Sequence, residues 1–275
     1  MPRARNGAVE IEYQAFGDPA GEAVLLINGL GSQMTRWPEP FCDLLVRRGL
    51  RPIRFDNRDT GRSTWCEGQS YSVDDMAADG AAVLDAVGKR QAHIVGVSMG
   101  GMIAQVFAAN YPARTLSLAS IMSNTGNPDL PPPNVELLNT RPLDPSDPNF
   151  VADTVARAEA IGNPGYPWPR GALAERARAE ADRAWNPAGV QRQMAAIRAG
   201  GDRRAKLATI KAPTMVLHGA DDPLVPVAGG RDTAENIPGA ELRIVPGMGH
   251  DLPPALYDIF IDTISRAVER AHATA

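Results

Sequence analysis

Apolar residues along the chain switch between two spacings, and each spacing predicts an element. Val9 to Tyr13 (V-E-I-E-Y) alternates as a half-buried strand does, and Ala23-Val-Leu-Leu-Ile-Asn28 is a continuous apolar run, the mark of a buried strand. Residues 35 to 48 read as a helix with Trp37, Phe41, Leu44 and Leu45 on its apolar side, and Arg51 to Asp56 as the next strand. From Val73 to Val87 apolar residues recur three and four apart, predicting a helix with one buried stripe that Gly88 closes. Ile94 to Val97 is a compact strand, the segment after Gly101 a helix that Pro112 ends, and Thr115 to Ile121 a further strand. The pattern returns near the C-terminus with strands at Pro213–Gly219 and Glu241–Val245 and a last helix over 254–269. Strand alternating with helix predicts an α/β protein with a mostly parallel central sheet flanked by helices.

Between Ser123 and about Lys206 this alternation disappears. Pro128, Pro131, Pro132, Pro133, Pro142, Pro145 and Pro148 exclude a long regular helix over 126–148, because proline lacks the N–H and clashes with the preceding turn. Helical stretches follow at about 150–161, 171–184 and 187–198. The division expected is a core of residues 1–125 and 207–275 with a helical cap inserted over 126–206. Tyr166, Trp168, Trp185, Met194 and Ile197 are the cap's candidates for an apolar pocket.

Chemistry-bearing residues cluster where strands end. Gly96-Val-Ser98-Met-Gly100 joins the Ile94 strand directly to a helix, and a turn that tight needs small residues on both sides of its central serine. Such an elbow lifts the Ser98 hydroxyl above the sheet edge, beside a helix N-terminus. Asn28-Gly29-Leu30-Gly31-Ser32 ends an earlier strand and is able to bring a second backbone N–H to a developing anion. Asp221 and Asp222 follow the Pro213 strand, and His250 follows the Glu241 strand, at the edge where open α/β sheets place their sites. Asp56 and Arg58 are expected to pair and brace their loop. His93 and His218 read as structural, and His272 lies in the terminal tail.

Composition narrows the classes. Lys and Arg number 28 against 32 Asp and Glu, a net charge of −4, so a basic nucleic-acid face is not expected. No run reaches the length of a membrane span, and the charged start lacks the apolar stretch of a standard signal peptide. With two cysteines, Cys42 and Cys66, four histidines and no closely spaced ligand set, there is no zinc signature, and two reduced thiols in the cytoplasm are expected.

The motifs Asn28-Gly-Leu-Gly31, Phe55-Asp-Asn-Arg-Asp-Thr-Gly-Arg-Ser63, Gly96-Val-Ser-Met-Gly-Gly101, His218-Gly-Ala-Asp-Asp-Pro-Leu-Val-Pro226 and Gly249-His250 resemble the α/β-hydrolase superfamily over nearly the whole chain. The resemblance is to the capped bacterial serine esterases of the aclacinomycin methylesterase type. That family commonly has His-Gly in the first loop, where this chain has Asn28-Gly29. The resemblance implies Ser98 as nucleophile, His250 as base and Asp222, which stands immediately before the Pro-x-x-Pro stretch, as the residue that orients the imidazole. It also implies an oxyanion hole from the backbone amides of Leu30 and Met99. The reaction expected is hydrolysis of a small or medium hydrophobic ester through an acyl-enzyme, with water and no metal or organic cofactor. Lactonase, C–C hydrolase, aminopeptidase and cofactor-free perhydrolase chemistry on the same residues are alternatives, as is a non-catalytic binding protein of this fold. The expected partner is a small molecule, neither nucleic acid nor membrane, and no oligomeric partner is read from the sequence.

Overall fold

The computed structural model of the chain describes residues 1–137 and 143–274. Pro142, one of the prolines that interrupt the middle segment, lies outside the described residues. The strands are β1 (Arg3–Asn6), β2 (Val9–Ala15), β3 (Glu22–Ile27), β4 (Leu50–Phe55), β5 (Ala92–Val97), β6 (Thr115–Ile121), β7 (Thr214–Gly219) and β8 (Glu241–Val245). Among the described residues they form one sheet in the order β1-β2-β4-β3-β5-β6-β7-β8. The β1–β2 and β2–β4 pairs are antiparallel and every other pair is parallel.

Period-two alternation assigns the two faces of this sheet. Leu25 and Ile27 of β3 and Ile94 of β5 point to one side, where α2 (Val73–Ala86) and α3 (Met99–Asn110) pack through Met76, Leu84, Ile103 and Phe107. Val24, Leu26, Val95 and Val97 point to the other, against α1 (Glu39–Arg47) and α9 (Tyr257–Thr274) through Phe41, Leu45, Phe260 and Ile264. Full burial of each such side chain is worth about 1.5–3 kcal/mol, so the sheet's alternation is strongly enforced.

The chain leaves β3 toward β4 in one direction and β5 toward β6 in the other. The loops that follow these two neighbouring strands therefore diverge, and the crevice between them is the topological switch point where α/β sheets bind ligands. Over this edge lies an inserted helical cap containing α4 (Phe150–Ala160), α5 (Arg170–Arg183) and α6 (Pro187–Gly200). The fold is the α/β-hydrolase fold.

Several boundaries differ from the sequence expectation. The helix expected over 35–48 begins only at Glu39, because Pro38 is extended (ψ 158°) at its N-cap. Met34–Arg36 forms a separate 3₁₀ turn, and Trp37 is buried between the two. The last helix runs Tyr257–Thr274, after a 3₁₀ turn at Pro254–Leu256 that begins on a proline. The sequence reading missed β1, α7 (Arg204–Leu207) and α8 (Ala228–Asn236), segments that are charged, very short or carry paired glycines and so lack an apolar period. Asp56 and Arg58 turn away from each other. Arg58 pairs with Asp79 of α2 at 2.6 Å, and Asp56 pairs with Arg183 of the cap at 2.7 Å.

Candidate active site

The elbow at Ser98 is built by crowding. Ser98 sits at φ 56°, ψ −123°, a conformation that costs about 1–3 kcal/mol for a residue with a side chain. Its N–H donates to Ile121 O at 2.9 Å and its carbonyl accepts from Ser123 Oγ at 2.8 Å, so β6 and the residues after it hold the turn. A Cβ at Gly96 would meet Gly100 O at 2.0 Å, and one at Gly100 would meet Ile27 O at 2.2 Å. Both glycines are thus required by backbone approach. Met99 opens α3, where a helix leaves its first N–H groups without an internal carbonyl.

His250 and Asp222 arrive from the ends of β8 and β7. Asp222 Oδ2 is 2.7 Å from His250 Nδ1, while Oδ1 accepts from the N–H groups of Leu224 (2.9 Å) and Val225 (2.8 Å). His218, fully buried, places Nε2 2.9 Å from Val225 O and 3.5 Å from Asp222 Oδ2. Burial alone would raise the Asp222 pKa. The charge of His250 and hydrogen bonds from His218, His250 and the Val225 N–H outweigh it and hold the carboxyl well below the usual carboxylate range. Asp221 is exposed and accepts from Gly247 N–H at 2.7 Å, bracing the loop that leads to His250.

Ser98, His250, Leu30 and Met99 all line one cavity of about 170 Å³. Its remaining wall is mostly apolar and includes Trp37, Met102, Met122, Leu224, Met194 and Ile197. Of the five cap candidates, Met194 and Ile197 therefore reach the cavity and the three aromatic residues do not. Tyr166 packs into the cluster beneath α9, and Trp168 lies under the Arg176 guanidinium, 4.1 Å from the ring centroid. Trp185 donates its indole N–H to Leu143 O at 2.8 Å and meets the Phe150 ring edge-on. The two tryptophans make contacts within the cap, Tyr166 anchors it to the core, and flexible aliphatic side chains face the cavity.

Cap residues also grip the loops that carry the site, a role the sequence reading missed. Gln193 of α6, fully buried, accepts from Gly31 N–H at 2.8 Å. Its amide donates to Arg58 O and Thr60 Oγ1, both at 2.8 Å, so one side chain ties the Leu30 loop to the loop after β4. Asn163 accepts from Gly249 N–H at 2.8 Å and donates to Asp251 O at 3.3 Å, while Ile161 O accepts from His250 N–H at 2.8 Å. A Cβ at Gly249 would meet Gly162 O at 1.9 Å, so cap and histidine loop touch backbone to backbone. Gln193 carried a readable signal, a polar residue on the stripe Val190, Met194, Ile197. Asn163, in a Gly-Asn-Pro-Gly turn, carried none. Asn28, standing where the family has histidine, is buried, and its backbone O accepts from Asn57 Nδ2 at 3.1 Å.

Two charged pairs reach the cavity through Arg36 and Asp251, which line it. Arg36 bonds Glu180, and Arg176 bonds Asp251 at 3.1 Å. Burial would raise the Asp251 pKa, but the charges of Arg176 and Arg36 override it and keep the group a carboxylate.

Comparison with known proteins identifies the family. The sequence model for serine aminopeptidase, S33, matches residues 18–253. The chain belongs to the serine aminopeptidase S33 family. Within it, the chain is 30% identical to a rhodomycin D methylesterase of Streptomyces peucetius, over 92% of this chain and 93% of that protein. It is also 30% identical to a 2-hydroxy-6-oxononadienedioate/2-hydroxy-6-oxononatrienedioate hydrolase of Burkholderia vietnamiensis, over 88% of this chain and 85% of that one. In structure it is similar to a meta-cleavage product hydrolase from Pseudomonas fluorescens, with a TM-score of 0.81 at 20% identity over 98% of both chains, a likeness of fold. This S33 member is an α/β-hydrolase-fold enzyme of the serine-hydrolase clan that acts on small organic substrates, related to the bacterial methylesterases. Among its described residues no helix is long and apolar enough to cross a membrane.

Proposed function

We propose that this enzyme is a carboxylesterase in which Ser98, His250 and Asp222 act as a catalytic triad. The observation that carries the reading is the 2.7 Å contact from Asp222 Oδ2 to His250 Nδ1. It leaves the other imidazole nitrogen as the base, in a cavity that Ser98 also lines. Ser98 Oγ bonds to the acyl carbon as His250 takes its proton, and the same proton then leaves with the alkoxide as an alcohol. A water next gives its proton to His250 and its hydroxyl to the acyl carbon; as the acyl–Ser98 bond breaks, His250 passes that proton to Ser98 Oγ and the acid leaves. The Leu30 and Met99 amides stabilise the oxyanion in both steps. Substrate and water balance every step.

Two features favour an ester over the alternatives. The apolar wall of Met102, Met122, Met194, Ile197 and Leu224 suits an uncharged hydrophobic group. An aminopeptidase needs an acid to hold the substrate's ammonium, whereas Asp251 and Glu180 are already bonded to arginines. The rhodomycin D methylesterase among its relatives supports the same reading. A cytoplasmic setting fits the two unpaired, buried thiols.

The test is a panel of esters, lactones, amides and a vinylogous 1,5-diketone, run with wild type and Ser98→Ala. Esters should give the highest kcat/KM, and Ser98→Ala should fold yet lose turnover by roughly a factor of a million together with labelling by a fluorophosphonate. Preference for the diketone would move the reading to C–C hydrolysis. Wild-type turnover by the folded mutant would remove Ser98 as nucleophile.

A further inference from the structure

A second group of chemistry-bearing side chains lies at the opposite edge of the sheet. Glu22 opens β3, His93 is the second residue of β5, and His272 sits near the end of α9. His93 precedes Ser98 by five residues of extended chain, a separation of about 16 Å at 3.3 Å per residue. The mechanism above uses none of the three.

Their ligand atoms all lie within 4.8 Å of one another. Glu22 Oε2 is 2.8 Å from His272 Nε2 and 3.4 Å from His93 Nε2, and the two imidazole rings stand edge to face, 6.3 Å between centroids. A tetrahedral zinc ion with bonds of about 2.0–2.1 Å holds its ligand atoms about 3.3 Å apart, so the pocket needs only small side-chain rotations to close on an ion. We propose that Glu22, His93 and His272 form a site for a divalent zinc-like cation, with a water as fourth ligand.

The surroundings are those of a ligand set. His93 is buried, and its other nitrogen, Nδ1, lies 2.8 Å from Ser117 Oγ on the register-paired position of β6. A hydrogen bond of that kind fixes the ring and directs the Nε2 lone pair outward, as the supporting bond does for most metal-bound histidines. Two imidazoles and one carboxylate match the borderline character of zinc, and not that of calcium or magnesium. Glu22 and His272 are exposed, which leaves entry for the ion and room for water. An ion here would tie the end of α9 to the starts of β3 and β5.

Isothermal titration of untagged protein with ZnCl₂ tests the site, with Co²⁺ absorption as a second readout of tetrahedral coordination. Glu22→Gln and His272→Ala are the variants, since both side chains are exposed and His93 is part of the core. Wild type should bind one Zn²⁺ with a rise in Tm, and each variant should weaken that binding at least tenfold while leaving ester turnover unchanged. Ser98→Ala and His250→Ala should retain the site. Absence of stoichiometric binding in wild type, or binding lost in His250→Ala and kept in His272→Ala, would overturn it.

Discussion

Asp222 stays ionised although it is almost fully buried, because every direction it faces offers a donor or a positive charge: His250, His218 and two backbone N–H groups. The carboxylate of Asp221, one residue earlier, accepts from the Gly247 N–H at the surface. Asp222→Asn should therefore cost about four orders of magnitude in kcat, the size of a mis-set imidazole tautomer, while Asp221→Asn stays near wild type because an amide oxygen still accepts from Gly247. Steady-state kinetics of the two variants decide the ranking. The depressed Asp222 pKa also has a sign. Its stabilising effect is complete above the unfolded carboxyl value of about 3.9 and is lost as pH falls through the lower folded value. The stability gap between wild type and Asp222→Asn should hold at neutral pH and narrow below about pH 4 in denaturant melts. Across milder acid Asp222 stays a carboxylate, so its contact with His250 Nδ1 persists there.

At the scale of elements, the cap does two separable things. Its 161–163 turn positions the histidine loop, and α6 supplies the cavity wall and Gln193. Asn163→Ala would leave the buried Gly249 N–H without a partner, a loss of about 1–3 kcal/mol in stability. Because a small displacement of a catalytic group costs up to about a hundredfold in rate, Asn163→Ala should lower kcat ten- to a hundredfold with little change in KM. A change confined to Tm would make Asn163 structural only. Ile197→Ala or Met194→Ala should instead shift relative kcat/KM among acyl-chain lengths, by about 1–3 kcal/mol per methylene of fit. Trp185→Ala should lower Tm and keep the wild-type chain-length profile, since its ring packs on Phe150 away from the cavity.

For the molecule as a whole, cap and core are joined by ion pairs whose acidic partners are buried: Arg183 with Glu12 and Asp56, and Arg192 with Asp59. The core beneath them is closed to reagents. Burial pushes the Cys42 thiol up to about 12 and raises that of Cys66 as well, and both are free. Neither should react with a disulfide reagent in the native state, and both should react at the rate of unfolding as denaturant is added. Immediate reaction of either thiol would mean local opening that this packing does not allow.

What the chain's sequence determined by itself was whatever neighbouring residues decide together. The alternation in Val24–Ile27 assigns side chains to two sheet faces. Gly96 and Gly100 around Ser98 mark a strand turning at once into a helix, and Asp222 and His250 follow strands, so both land on one edge. Contacts between distant segments have no such local signature. Asp56 and Arg58 are near neighbours, yet each found a partner from another helix once α2 and α5 had docked. Tyr166, Trp168 and Trp185 are the bulkiest apolar residues of the cap, and other contacts claimed them before the cavity could: Tyr166 packs on the core cluster beneath α9, Trp168 under Arg176 and Trp185 against Phe150. Glu22 and His272 stand 250 residues apart, and only the closing of α9 over the sheet brings them to 2.8 Å. Local propensity writes the elements into short windows of sequence; which side chains meet across them depends on docking angles that the whole core sets at once.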